Sequence, residues 1–212
     1  MKNKLNLIYR KLYAHFGPQF WWPAQSPFEV MVGAILTQSS SWRNVEKAIA
    51  NLKKHKVLEP RKIYNLKHKN LARLIHSCGY YNIKAKRLKE FLGFFINNYG
   101  ASVKKMSKAK PSILREELLS VKGIGPETAD SILLYALNKP VFVVDAYTRR
   151  IFSRHKLLKP AASYAQAQGL FMSGLKKDAK LFNEYHALLV ALAKTYCSKA
   201  RPKCSACPLD FS

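Results

Sequence analysis

The segment Leu119-Ser120-Val121-Lys122-Gly123-Ile124-Gly125-Pro126-Glu127-Thr128-Ala129-Asp130 reads as helix, tight turn, helix. Leu114, Leu118 and Leu119 form an apolar face before the turn, and Ile132, Leu133, Ala136 and Leu137 form one after it. Gly123 and Gly125 bracket a single Ile124. Two glycines that close allow positive φ and the near approach of another backbone. Pro126 suits the first turn of the second helix. A helix N-terminus behind a glycine turn presents free N–H groups, which makes an anion site. Downstream, Val143-Val144-Asp145-Ala146-Tyr147-Thr148-Arg149-Arg150 ends an apolar run in a lone carboxylate, Asp145. A phosphate clamp followed by such a carboxylate is what base excision from a nucleic acid requires.

Bulk composition fits that direction. The chain has 212 residues, 48% of them hydrophobic, and a formal net charge of +25. This is a globular chain with enough length for a real core, in one large domain or two small lobes. So large a cationic excess attracts polyanions, because neutralising phosphates releases counterions. DNA is the expected partner, with an RNA-binding role as the rival. A membrane surface fits less well, since no long basic amphipathic helix stands apart from the core. No apolar run approaches a membrane span. Met1 to Phe16 is basic and lacks a signal-peptide core, and reads as an ordinary first helix with Leu5, Ile8, Leu12 and Phe16 on one side. A monomer acting in the cytoplasm or nucleoid is expected.

The chain reads as almost entirely helical. Gly17 to Pro23 forms a rigid aromatic loop carrying Trp21-Trp22. Ser26, Pro27 and Glu29 predict a capping box opening a helix that runs to Leu36. Further helices are predicted over Trp42 to Lys54, Arg61 to Leu66, Asn70 to Ser77 and Ile83 to Tyr99. The last of these buries Leu88, Phe91, Leu92 and Phe95, and its exposed face carries Lys84, Lys86, Arg87 and Lys89. Gly100 to Pro111 reads as a lysine-rich linker. Val141 to Val144 is the best strand candidate, too short to build a sheet. After Asp145, helices are predicted to about His155, from Ser163 to about Ser173, and from Asp178 to about Tyr196.

Each motif also has a plainer reading. Gly-Ile-Gly turns often serve helix packing alone. Asp145 is also a good helix N-cap, and Arg149 and Arg150 are phosphate contacts or surface charge. Trp21, Trp22 and Trp42 serve a core as readily as a pocket, although a loop-borne pair suits stacking on a base. Cys197, Cys204 and Cys207 fall within eleven residues, a spacing for an iron–sulfur cluster or zinc, with free thiols as the alternative. Their clustering suggests a reducing compartment rather than a disulfide framework. Cys78 reads as a buried thiol.

Together, the hairpin, the aspartate at the following helix and the cysteine spacing resemble the endonuclease III superfamily of helix-hairpin-helix "GPD" DNA glycosylases. The resemblance covers nearly the whole chain. It implies an all-α fold of two helical lobes with a cleft between them, residues 24–137 forming a six-helix lobe and 1–23 plus 138–212 the other. Leu36-Thr37-Gln38 looks like the segment whose glutamine fills the gap left by an extruded nucleotide. Gly79-Tyr80-Tyr81-Asn82-Ile83-Lys84-Ala85 resembles the second wedge loop, with Tyr80 intercalating. Asp145 falls at the catalytic aspartate. Lys122, Gly123, Ile124, Gly125 and Arg149 fall among the DNA contacts, with Gln38 and Tyr80.

Where bifunctional members carry a lysine, this chain has Glu127, so no Schiff base and no lyase step is expected there. Glu127, the Trp-Trp-Pro loop and the aromatic at position 42 look most like the 3-methyladenine DNA glycosylase branch. That resemblance implies a monofunctional enzyme excising an alkylated purine, with Trp21, Trp22 and Trp42 lining the base pocket. A glycosylase for oxidised or mismatched bases, and a non-catalytic hairpin DNA-binding protein, are the alternatives. The cysteine pattern implies a [4Fe–4S] cluster on Cys197, Cys204 and Cys207, with a fourth cysteine expected just past Ser212.

Overall fold

A computed structural model describes residues 2–209. Among them are twelve α-helices and no strand. The chain divides into two compact units, Ala24–Leu137 and a second made of Met1–Pro23 with Asn138–Ser212. Among the described residues no helix is long and apolar enough to cross a membrane.

The unit Ala24–Leu137 begins with α2 (Pro27–Leu36), following α1 (Lys2–Phe16) of the other unit. Nine of the ten α2 residues are buried, so it is the central helix of its unit. Ser26 caps it by accepting from the Glu29 N–H. The predicted capping box is not completed. The Glu29 carboxylate reaches past Ser26 to accept from the Gln25 N–H at 3.1 Å, and pairs with Lys53 at 2.8 Å. Glu29 is 7% exposed, and a carboxylate so buried is held by a cation before it serves a cap. Lys53 belongs to α3 (Trp42–Lys54), which buries Val45, Ala48, Ile49 and Leu52 as its periodicity predicts.

Short helices α4 (Pro60–Asn65) and α5 (His68–Leu74) lead through a 3₁₀ turn, His76–Cys78, to α6 (Tyr81–Tyr99). This helix buries Leu88, Phe91, Leu92 and Phe95, and also Lys84, which the residue type had placed on the exposed face. The Lys84 ammonium is satisfied by two carbonyls in place of water. The lysine-rich linker contains a further helix, α7 (Val103–Ser107). Ser102 caps it and Met106 anchors it in the core. Next come α8 (Pro111–Ser120) and α9 (Pro126–Ser131), and a turn of π-helix over Ile132–Ala136 packs with α9 against α2.

The second unit packs α1 against α12 (Ala179–Thr195) and α11 (Tyr164–Gly174), and α10 (Ala146–Arg154) against α12. Leu5, Ile8 and Leu12 are buried as predicted. Val141–Val144 is buried without any partner strand among the described residues. Side chains of α11 take the place of a ladder. Met172 Sδ accepts from the Phe142 N–H at 3.3 Å, Gln168 donates to the Phe142 carbonyl at 2.7 Å, and Tyr164 Oη accepts from the Val144 N–H at 3.3 Å. Residues 164, 168 and 172 are four apart and form one stripe of the helix. That stripe holds the segment that delivers Asp145.

Candidate active site

In the hairpin, Gly123 has φ +90°, which favours glycine. A Cβ there would also lie 2.4 Å from Arg87 Cγ, so the position has no room for one. Gly125 differs, with φ −96° and open space around it. Only one of the two glycines therefore meets the expectation of positive φ. Ile124 is 5% exposed, and its N–H donates to the Val121 carbonyl at 3.0 Å. It anchors the turn, and its amide is not open to a phosphate. The N–H groups of Gly123 and Gly125 make no hydrogen bond among the described residues, and Lys122 and Glu127 are exposed beside them. Arg115 of α8 grips the fully buried Asp130 of α9 with two hydrogen bonds, 2.6 and 3.1 Å, which sets the two hairpin helices against each other.

Gln38 lies in the turn after α2. Its Nε2 donates to the Gly123 carbonyl and to Thr128 Oγ1, both at 3.0 Å, and its Oε1 accepts from Arg87 at 2.6 Å. The predicted DNA contact is thus joined directly to the predicted phosphate clamp. Tyr80 is 70% exposed, in left-handed backbone with φ 47°. A bulky residue rarely adopts that conformation. The backbone here presents an aromatic ring to solvent.

In the other unit, Asp145 is the N-cap of α10. Its Oδ1 accepts from the Thr148 N–H at 2.7 Å, and Oδ2 lies 3.5 Å from His186 Nε2 of α12. Burial pushes the carboxyl pKa up, but His186 and the Thr148 N–H outweigh it and hold Asp145 below its ordinary value. The side chain keeps 13% exposure, so one edge of a charged, oriented carboxylate is open. Arg149, a predicted DNA contact, instead donates to the Ala162 carbonyl and ties down the approach to α11.

Trp21 and Trp22 are half-buried with ring centroids 6.0 Å apart at 72°. Their loop is fastened by the Gln19 N–H, which donates to Glu184 at 2.7 Å, and Lys194 stands 5.8 Å over the Trp21 ring. Trp42 opens α3 in the other unit and donates to Glu46 at 2.7 Å.

Cys197 is buried. Arg154 donates to its Sγ at 3.2 Å and to the Ser198 and Lys199 carbonyls, while Arg150 donates to the Cys197 carbonyl. Cys204 is exposed and Cys207 half-buried. Three thiols are the donor chemistry a cluster takes. Among the described residues, no three potential ligands are grouped closely enough to hold a metal. The fourth cysteine expected past Ser212 lies outside the described residues.

The model of the HhH-GPD superfamily base excision DNA repair protein matches residues 32–177, spanning the hairpin and Asp145. The chain belongs to this superfamily. Among HhH-GPD relatives, the "Putative DNA repair glycosylase MJ1434" of Methanocaldococcus jannaschii is 48% identical, over 98% of this chain and 96% of its own length. The H. pylori 3-methyladenine DNA glycosylase MagIII, solved bound to 1,N6-ethenoadenine, is 31% identical. It superposes with a TM-score of 0.78 over 91% of this chain and 96% of its own. An endonuclease III trapped covalently on DNA shares the fold at a TM-score of 0.84 and 20% identity, over 99% of this chain and 93% of its own. As an HhH-GPD protein, the chain is a base excision repair DNA glycosylase.

Four residues in these arrangements are not singled out by the sequence alone. His186 carried only the weak signal of one histidine within an apolar helix. Arg115 and Asp130 carried none, since their pairing depends on the hairpin angle. Lys84 had a positional signal, four residues before Leu88 on the apolar stripe.

Proposed function

We propose that this glycosylase is monofunctional and hydrolyses the N-glycosidic bond of an alkylated purine such as 3-methyladenine. The observation that carries the reading is Glu127, an exposed carboxylate in the first turn after the hairpin, where a lyase would need an amine. MagIII, named as a 3-methyladenine DNA glycosylase, adds support at 31% identity.

The chemistry follows from charge. Cleavage develops positive charge on the deoxyribose, and a fixed carboxylate stabilises it. Asp145 is that group, with Oδ1 held by the α10 amide and the anion maintained by His186. It also orients the attacking water. An alkylated purine is already cationic and departs without a strong general acid. Trp21 and Trp22 in one unit, and separately Trp42 in the other, each offer an electron-rich face of the kind on which such a base stacks. The Gly123 and Gly125 amides with Lys122 hold the phosphate, and Gln38 and Tyr80 fill the space vacated when the nucleotide flips.

A [4Fe–4S] cluster on Cys197, Cys204 and Cys207 would require the three thiols to draw closer together than they stand here, with a further ligand from outside the described residues. When bound, the cluster would tie the C-terminal loop and supply no step of hydrolysis. Iron content and visible absorption of anaerobically purified protein test it. The function itself is tested on a panel of duplexes carrying alkylated, oxidised and mismatched bases. Release of 3-methyladenine with an intact abasic strand is expected. Strand scission without alkali treatment overturns the monofunctional reading, and release of only oxidised or mismatched bases overturns the substrate.

A further inference from the structure

Lys84 is 1% exposed, yet it carries a charge into the core of its unit. Its Nζ donates to the Leu36 carbonyl and to the Cys78 carbonyl, each at 2.8 Å. Leu36 is the last residue of α2, and Cys78 the last of the 3₁₀ turn. Carbonyls at helix ends carry partial negative charge and lack partners within the helix, so a cation there completes both. Gln38 follows the first carbonyl by two residues, and Tyr80 follows the second by two. One ammonium therefore joins the roots of both loops.

The same helix acts on the loop side chain as well. Arg87 lies three residues on from Lys84, close to the same face of α6. It donates to Gln38 Oε1 at 2.6 Å, and its aliphatic part lies against Gly123. A buried lysine held only by carbonyls is poor value for stability, because an apolar residue of similar volume generally does as well or better. Its use here is geometric.

We propose that Lys84 is a positioning residue that holds the Gln38 and Tyr80 loops at a fixed separation, so that both side chains enter the duplex together. The proposal rests on the reading of Gln38 and Tyr80 as the residues that replace the flipped nucleotide. Lys84 itself touches neither DNA nor the base. Losing it leaves the hairpin amides and Asp145 in place but lets the two loops move apart.

The test uses the full chain and a duplex with 2-aminopurine opposite a tetrahydrofuran abasic-site analogue. Its fluorescence reports side chains entering the gap. Lys84→Met removes both donors at similar volume. Lys84→Gln keeps one and serves if the first variant does not fold. The expected result is loss of most of the fluorescence change and a fall of about tenfold or more in kcat for excision, since small misplacements away from the chemistry cost that much. Affinity for an undamaged duplex stays within about twofold, because its phosphate contacts are untouched. A wild-type fluorescence change and kcat in a folded Lys84 variant overturn the proposal, as does equal loss of affinity for undamaged DNA, which marks a merely structural role. Gln38→Ala and Tyr80→Ala are run alongside. If both leave the signal unchanged, the reading of the two loops fails and the proposal falls with it, an outcome distinct from failure at Lys84 alone.

Discussion

Asp145 and Lys84 are both charged groups set inside a helical unit, and they are held in opposite ways. Asp145 has the His186 ring 3.5 Å away, one N–H bond from its own helix and an edge open to solvent. Lys84 has carbonyls alone and no open edge. A charge kept partly wet beside a titratable partner is available for chemistry. One sealed among backbone dipoles serves as a strut. Burial opposes charge in both, but it wins only at Lys84, whose pKa is lowered by burial, against a raising influence from Cys78 and with a further lowering one from Arg87. At Asp145 the partners win and the anion persists.

The largest effect should come from neutralising the open charge. Asp145→Asn keeps a good N-cap, so α10 and the fold should survive. Excision should fall at least about a hundredfold while DNA binding stays, measured by single-turnover release and by equilibrium binding. Unchanged excision would break the contrast at its root. A smaller effect is expected from His186→Asn, which removes one of the groups holding the Asp145 pKa down. The carboxyl pKa then rises, so the acid limb of excision moves to higher pH. One pKa unit costs about tenfold in rate on that limb, and a full pH–rate profile reads it. An unmoved limb would show that His186 does not set the charge.

The smallest effect concerns stability at alkaline pH. The native state binds Lys84's proton less tightly than the unfolded chain, so this group makes stability rise with pH up to its ordinary value near ~10.4. Cys78 beside it acts oppositely. Burial raises its pKa, so its contribution is present below its ordinary value near ~8.5 and is lost as pH rises through the folded pKa. Lys84→Met removes the first slope, and also the lysine's lowering influence on the thiol. Between about pH 8 and 10 the variant should lose more stability than the wild type, as followed by urea denaturation.

These contrasts also mark what a sequence can disclose. Helix ends were legible because caps are local: Ser163, Asp178 and Asp145 each stand where their helices start. The hairpin was legible because its glycines and proline act on their own backbone. Lys84 is hard to place from sequence because residue type and position conflict there: lysine suits a surface, yet 84, 88, 91 and 95 share one helical face. Val141–Val144 looked like a strand because its residues suit one, and nothing local announces that α11 side chains will meet its backbone instead. The Asp145–His186 pair joins residues 41 apart, and only the packing of α10 on α12 brings them together.

The crowding at Gly123 constrains the order in which this molecule can change. An alanine there meets two separate obstacles, a positive φ and Arg87 Cγ at 2.4 Å. Shortening Arg87 removes the second and leaves the first. The two substitutions are therefore non-additive, and their sequence matters. A lineage that first trims Arg87 has eased half the penalty before position 123 varies, whereas one that starts at position 123 meets both at once. Trimming Arg87 also removes one of the three hydrogen bonds on Gln38, so even the easier path runs through a protein whose Gln38 is less firmly held. The glycine is thereby shielded by a neighbour whose own replacement carries a functional cost.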